Sequence, residues 1–137
     1  MVYFLGCSGW YYDEWQGIFY PDDLPKKEWL QFYSKQFNTV EMNNTFYCFP
    51  TEKMLKSWFK RTQKDFIFTL KANRLFTHRK RFQDVKGLVD QFYQLADVLS
   101  EKLGCILFQL PPTMNKAGSP RKNSRTRGSE KRQYHRI

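Results

Sequence analysis

Short apolar runs alternate with helical patterns along most of this chain, and that alternation constrains its fold more than any other feature. Strand-like runs occupy residues 2–7, the stretch that opens at Thr39-Val40, and residues 66–71 and 105–110. Their β-branched and aromatic residues are typical of strands. Because strands that alternate with helices form parallel sheets with right-handed crossovers, the sequence predicts an α/β fold with four parallel strands.

Three helical segments separate the predicted strands. The first follows an early-turn Pro25, the second begins at a Thr51 cap, and the third runs from Asp84 to Gly104, which stops it. The third keeps its apolar periodicity for about five turns. Aromatic side chains at helical spacing indicate the core-facing sides of the first two helices: Trp29, Phe32, Tyr33, Trp58 and Phe59.

The formal net charge of +10 is concentrated near the C-terminal end of the chain. Residues 116–137 hold eight Lys or Arg against the single acid Glu130, a net of +7, which leaves +3 on the first 115 residues. Only Ala117 and Tyr134 are apolar between Lys116 and Arg136, so this segment cannot bury enough surface to offset its ordering entropy. The sequence therefore predicts a folded domain over 1–115 and a disordered basic tail over 116–137.

Cysteine usage and hydropathy indicate the compartment. Cys7, Cys48 and Cys105 are odd in number and widely spaced, as expected of reduced thiols rather than of a disulfide framework. The chain shows no secretory leader pattern and no apolar stretch of about 18 residues that could span a membrane. We expect a soluble, cytoplasmic protein with no membrane partner.

An ordered set of short motifs resembles the YecE-like family, also called domain of unknown function 72. The resemblance covers residues 1–115 and implies a TIM-type (β/α)8 barrel, a family with no firmly assigned reaction. Two small departures are Gln63-Lys64, where the family tends to carry a proline, and Cys7, where threonine is common. The residues that carry the resemblance are Gly6-Cys7-Ser8-Gly9-Trp10-Tyr11-Tyr12, Trp15, Phe19-Tyr20-Pro21, Thr39-Val40-Glu41, Asn43, Thr45-Phe46-Tyr47, Thr77-His78 and Phe108-Gln109-Leu110-Pro111-Pro112.

The large departure from the family is length. A TIM barrel needs about 250 residues, and four strands supply its N-terminal half. One interpretation is a chain cut short by a frameshift, whose new reading frame yields the basic tail. The other is a genuine basic extension that binds nucleic-acid phosphates by counterion release. Translating the other two frames past Met114 distinguishes these interpretations.

Polar and aromatic side chains cluster where the predicted strands end. Parallel βα folds place their sites at the carboxyl ends of the strands. Glu41 and Lys71 are the predicted catalytic residues, because alternation puts both on the presumed inward face of neighbouring strands. They could act as a base, clamp an anionic substrate, or form a structural ion pair that fills a barrel layer. The predicted substrate-binding residues are Ser8, Trp10, Tyr11, Asn43, Tyr47, His78 and Gln109.

Other sites have weaker support in the sequence. His78 is either an acid, base or phosphate contact within the basic loop 74–81, or a surface residue. Trp10, Tyr11, Tyr12 and Trp15 form either a stacking wall for a sugar or base, or a private core of their loop. The body offers only Glu41 and His78 as metal ligands, without ligand spacing, so no metal site is predicted. No Walker or dinucleotide glycine motif is present, and the cofactor is unknown.

Three hypotheses for function follow. The first is an enzyme acting on a small polar, phosphorylated or nucleic-acid-derived substrate at the barrel mouth. The second is a nucleic-acid-binding module that uses loop 74–81 and the tail. The third is an inactive fragment whose open barrel edge leads to self-association or aggregation.

Overall fold

A computed structural model describes residues 3–114, in which four strands form one parallel sheet. The strands lie side by side in chain order, which confirms the predicted α/β fold. Their bounds are β1 Gly6–Cys7, β2 Thr39–Met42, β3 Ile67–Lys71 and β4 Leu103–Leu107. The predicted basic tail, residues 116–137, lies outside the described residues.

Four α-helices connect the strands: α1 Trp29–Gln36, α2 Asn44–Tyr47, α3 Glu52–Arg61 and α4 Lys86–Ala96. The predicted Thr51 cap is confirmed, because the Thr51 hydroxyl accepts a hydrogen bond from the Met54 amide at 3.2 Å. The short helix α2 was not predicted. It has only four residues, and no side chain caps its first turn.

The core lies between the sheet and its helices. Side chains of β2 and β3 alternate strictly, so one face of each strand is buried under the helices and the other is only partly covered. The fully buried aromatic residues come from the helices, the strands and the loop after β1. The largest are Tyr20, Trp29, Tyr33, Phe66, Phe68, Phe76 and Phe92.

Several predicted boundaries are wrong. The first strand is confined to Gly6–Cys7 rather than residues 2–7. The third helix begins at Lys86, because Asp84 has a φ of 48° and no side-chain cap forms there. It ends at Ala96, and a 3₁₀ segment, Asp97–Lys102, follows with a break at Ser100, whose φ is 47°. Gly104 therefore does not stop a helix.

Gly104 instead lies inside β4, as the extra residue of a β-bulge. Phe68 pairs with Leu103, but the next pair is Thr69 with Cys105, so the register shifts by one residue at Gly104. A Cβ at this position would lie 2.4 Å from Cγ2 of Ile67, which only glycine avoids. The observed strand starts two residues earlier than the predicted 105–110 and ends three residues earlier.

Lys102 joins the end of this segment to α3. Its side chain is 4% exposed, and its ammonium donates to the Phe59 carbonyl at 2.7 Å and to the Thr62 carbonyl at 3.0 Å. The last carbonyls of a helix have no partner within the helix. Lys102 thus satisfies the C-terminal end of α3 from a position 40 residues further along the chain.

Within residues 3–114, no helix is both long and apolar enough to cross a membrane.

Candidate functional site

Glu41 and Lys71 lie next to each other at the carboxyl edge of the sheet. Glu41 pairs with Thr69, and Lys71 is the last residue of β3, on the same face. The Lys71 Nζ lies 4.0 Å from the Glu41 Oε1, with side-chain exposures of 16% and 30%. The structure thus brings together the two predicted catalytic residues, half-buried and beside solvent.

An aromatic residue of α2 backs this pair. The Lys71 ammonium lies 5.1 Å from the centre of the Phe46 ring, within the range of a cation–π contact. The edge of the exposed His78 ring meets the same Phe46 at 5.1 Å between centroids, and its Nδ1 is 2.8 Å from the Thr77 hydroxyl. Phe46 therefore connects Lys71 and His78, although sequence analysis did not include it in the site.

Buried polar contacts hold α2 against the end of β3. The Thr45 hydroxyl lies 2.8 Å from the Met42 carbonyl and 2.7 Å from the Lys71 carbonyl. The Asn73 amide donates to the Thr45 carbonyl at 3.1 Å and accepts from the Leu75 amide at 3.0 Å. Thr45 and Asn73 are at most 5% exposed. Only the motif containing Thr45 could have drawn attention to this network, since Asn73 follows no recognisable pattern.

A cavity of about 400 Å³ opens at the ends of β1 and β2. Ser8 lies at its edge, where its carbonyl accepts hydrogen bonds from the Tyr12 hydroxyl and, at 3.4 Å, from the Asn43 amide. Four of the predicted substrate-binding residues meet here. The lining residues are Ser8, Gly9, Trp10, Tyr11, Tyr12, Met42, Asn43, Asn44, Met54 and Trp58.

The aromatic loop after β1 divides between this cavity and the core. Trp10, Tyr11 and Tyr12 line the cavity, and Trp10 packs edge-on against Trp58 at 5.7 Å. Trp15 is not among the lining residues and packs against the core beside Tyr12 and Phe19. Three of the four aromatic residues of this loop therefore line a cavity, and the fourth, Trp15, packs against the core.

The remaining predicted residues lie apart from the cavity. Tyr47 is 61% exposed, and its ring centre is 5.4 Å from the guanidinium carbon of Arg74. Leu75–Arg79 of the basic loop form a π-helical turn. Gln109 is exposed, two residues beyond β4, and its side chain makes no hydrogen bond with the described residues. It is thus not brought into contact with the pair.

No group of three or more His, Cys, Asp or Glu side chains in residues 3–114 is arranged to hold a metal ion.

Comparison with known proteins identifies the family. A family model described as "Protein of unknown function DUF72" matches residues 4–125. The chain belongs to this family. It is 33% identical over 118 residues to the UPF0759 protein YunF of Bacillus subtilis and 27% identical over 113 residues to the UPF0759 protein YecE of Escherichia coli K12. The resemblance seen in the sequence motifs is therefore confirmed.

Solved structures of the family support the fold. A DUF72 family protein from Thermotoga maritima superposes with a TM-score of 0.67 at 31% identity, covering 79% of this chain and 44% of that one. One from Enterococcus faecalis has a TM-score of 0.55 at 22% identity, covering 62% and 36%. The four strands thus fit a partial barrel.

The two curated relatives are each matched over 82% of this chain and over 40% and 39% of their own length. The chain thus spans about two-fifths of the length of these relatives. The frameshift interpretation of the tail stays a prediction.

Proposed function

We propose that the carboxyl edge of this sheet binds a small polar ligand that carries an anionic group. In this proposal Lys71 contacts the anion and Glu41 is the general base of an acid–base reaction. The proposal concerns the whole family protein, since this chain spans about two-fifths of its relatives.

The open geometry of the Glu41–Lys71 pair carries the proposal. Charge-assisted hydrogen bonds between an ammonium and a carboxylate are about 2.7–2.9 Å long, whereas this pair is separated by 4.0 Å. Both groups therefore keep donors and acceptors that a ligand can use. A structural ion pair in a dry layer would need short, fully satisfied contacts to offset the cost of burying two charges.

The surroundings of the pair support a small ligand. Asn43, two residues after Glu41 along the chain, lines the aromatic cavity, and in this proposal the ligand extends from the pair to that cavity. Trp10 and Tyr11 in that cavity can stack on a sugar or another ring, while the pair contacts the charged end. A ligand held in this way would place its acidic proton near the Glu41 carboxylate, as a general base requires.

Binding of matched ligands to the 137-residue chain tests the proposal. We expect ribose 5-phosphate or citrate to perturb the Lys71 side-chain and neighbouring amide NMR signals, and ribose to leave them unchanged. Lys71→Met should weaken this binding roughly tenfold, since it removes one charge-assisted contact. Lys86→Met is the matched control, because Lys86 is exposed and bonded only to Asp90 in the described part of the chain.

Glu41→Gln separates binding from chemistry. In a full-length relative, the equivalent change should leave the affinity for the anionic ligand within a few-fold and abolish turnover of any converted ligand. Equal binding of ribose and ribose 5-phosphate, or undiminished binding by Lys71→Met, would contradict the proposal.

A further inference from the structure

We infer that a second, smaller cavity, between α2 and the turn after β3, binds a single phosphate group. The cavity has a volume of about 140 Å³. Its lining residues are Tyr47, Phe49, Asn73, Arg74, Leu75 and Arg79. Neither arginine belongs to the site proposed above, and the inference stands whether or not Lys71 binds an anion.

Two arginines and no acidic residue line the cavity. In residues 3–114 the ion pairs are Lys26–Asp13, Lys56–Glu52, Lys71–Glu41 and Lys86–Asp90, so no described carboxylate lies within 4.0 Å of Arg74 or Arg79. Two like charges that line one small cavity repel each other unless an anion lies between them. The planar fork of a guanidinium matches the oxygens of a phosphate group, so the lining favours this class of anion.

Local structure fixes the position of Arg74. Its guanidinium carbon lies 5.4 Å from the centre of the Tyr47 ring, a stacking distance that limits its rotamers. The preceding residue, Asn73, is 5% exposed, with both ends of its amide hydrogen-bonded. An arginine held in place before binding loses less entropy when the ligand arrives.

The π-helical turn brings Arg79 to the same cavity. The Lys80 amide donates to the Leu75 carbonyl at 2.9 Å, which closes the wide turn Leu75–Arg79. Such turns are rare and are frequently found at functional sites. Here the turn lets one short segment supply two arginines, at its start and at its end.

The size of the cavity selects the ligand. At about 30 Å³ for each water, 140 Å³ corresponds to between four and five waters, which suits one phosphate group. The exposed Tyr47 at the rim leaves the rest of a phosphomonoester in solvent. A nucleic-acid backbone needs an open basic surface that contacts several phosphates, so we favour a terminal or free phosphate.

Titration of the full chain with inorganic phosphate and glycerol 3-phosphate tests this inference. The measurement is the saturable shift of the amide NMR signals of residues 74–80 at constant ionic strength, with sodium chloride as the balancing salt. We expect Arg74→Gln or Arg79→Gln to weaken binding roughly tenfold. Arg81→Gln is the matched control, because Arg81 adjoins the turn but does not line the cavity. Lys71→Met should also leave binding unchanged.

The outcomes separate the alternatives. Tighter binding of glycerol 3-phosphate than of inorganic phosphate assigns the site to a phosphomonoester, and the reverse assigns it to free phosphate. Non-saturable shifts, or an equal loss in Arg81→Gln, would reveal only diffuse attraction to a basic surface and overturn the inference. The inference would also be overturned if single-stranded DNA or RNA bound while neither small phosphate bound saturably. In that case the dependence of nucleic-acid affinity on salt concentration would correspond to several phosphate contacts. A loss in Lys71→Met alone would place the anion at the Glu41–Lys71 pair instead.

Discussion

The two faces of the central strands differ in burial and in chemistry. The helix-covered face carries apolar side chains that are at most 1% exposed: Val40, Met42, Phe68 and Leu70. The opposite face carries partly exposed side chains, most of them polar: Thr39, Glu41, Ile67, Thr69 and Lys71. Because the same strands provide both faces, substitutions one position apart should affect different properties. The first face determines stability, and the second is available for ligands.

Phe68→Ala should produce the largest loss of stability. Phe68 is fully buried and packs against Trp58 and Phe66, so its removal leaves a cavity and costs about 3–5 kcal/mol of the free energy of unfolding. Thr69→Ala, on the other face, should cost less than about 1 kcal/mol. Urea denaturation followed by circular dichroism measures both. Phe68→Leu provides a milder variant in case Phe68→Ala does not fold. Equal losses at 68 and 69 would show that the two faces do not differ as described.

Lys102→Met should produce the next largest effect. The substitution keeps most of the aliphatic side chain but removes the donor to the last carbonyls of α3, which should cost about 1–3 kcal/mol. Lys60→Met is the matched control, because Lys60 is exposed on the same helix. If the two variants have the same urea midpoint, Lys102 does not stabilise α3.

Alkaline pH should reduce stability through two tyrosines on the helix-covered side. Burial raises the pKa of Tyr20 and of Tyr33 above the usual 10.0, and the Tyr33 hydroxyl accepts from the Cys7 amide and donates to the Thr39 carbonyl. The unfolded chain loses these protons first. The stabilisation from the two protonated hydroxyls is therefore complete below pH 10 and is lost as pH rises above it, by about 1.4 kcal/mol for each tyrosine at pH 11.

A comparison with Tyr33→Phe isolates this contribution. Burial lowers the pKa of Lys102 in the folded protein. The unfolded chain therefore holds this proton to higher pH, so Lys102 makes the free energy of unfolding rise toward pH 10.5, opposite to the effect of the tyrosines. The difference between the wild-type and Tyr33→Phe unfolding free energies removes the Lys102 contribution. That difference should shrink between pH 9 and pH 11. A constant difference would contradict the predicted protonation of Tyr33.

Glu41→Gln and Lys71→Met should have the smallest effect on stability. Both side chains are partly exposed and 4.0 Å apart, so breaking the pair should change the free energy of unfolding by less than about 1 kcal/mol. A loss of about 3–5 kcal/mol in either variant would identify a structural ion pair instead. Urea denaturation of the single and double variants decides between these interpretations.

The parts of the fold with a local signal could be predicted from the sequence. Alternation in β2 and β3 gave both the strands and their two faces, and thereby the proximity of Glu41 and Lys71. The Thr51 cap follows from the first residues of its own helix. In each case the interaction that determines the structure joins residues that are close in sequence or related by strand pairing.

Features that depend on distant contacts could not be predicted. The role of Lys102 is one of them, because its carbonyl partners lie 40 and 43 residues away along the chain. The Arg74–Arg79 cavity depends on a π-helical turn, which has no recognised sequence pattern. The predicted third helix was too long because the apolar spacing continues past Ala96. Residues of the 3₁₀ segment also face the core, as the buried Leu99 shows.

The bulge at Gly104 determines which side chains of β4 face outward. Since one extra residue precedes Cys105, Ile106 pairs with Leu70 on the helix-covered face, while Leu107 pairs with Lys71 beside the site. If the strand were regular, with Gly104 paired to Thr69, the two sets would exchange, placing Ile106 beside Lys71 and Cys105 beneath the helices. A substitution at Gly104 that abolished the bulge by such a shift would thus affect the candidate site even though no ligand-facing side chain changes.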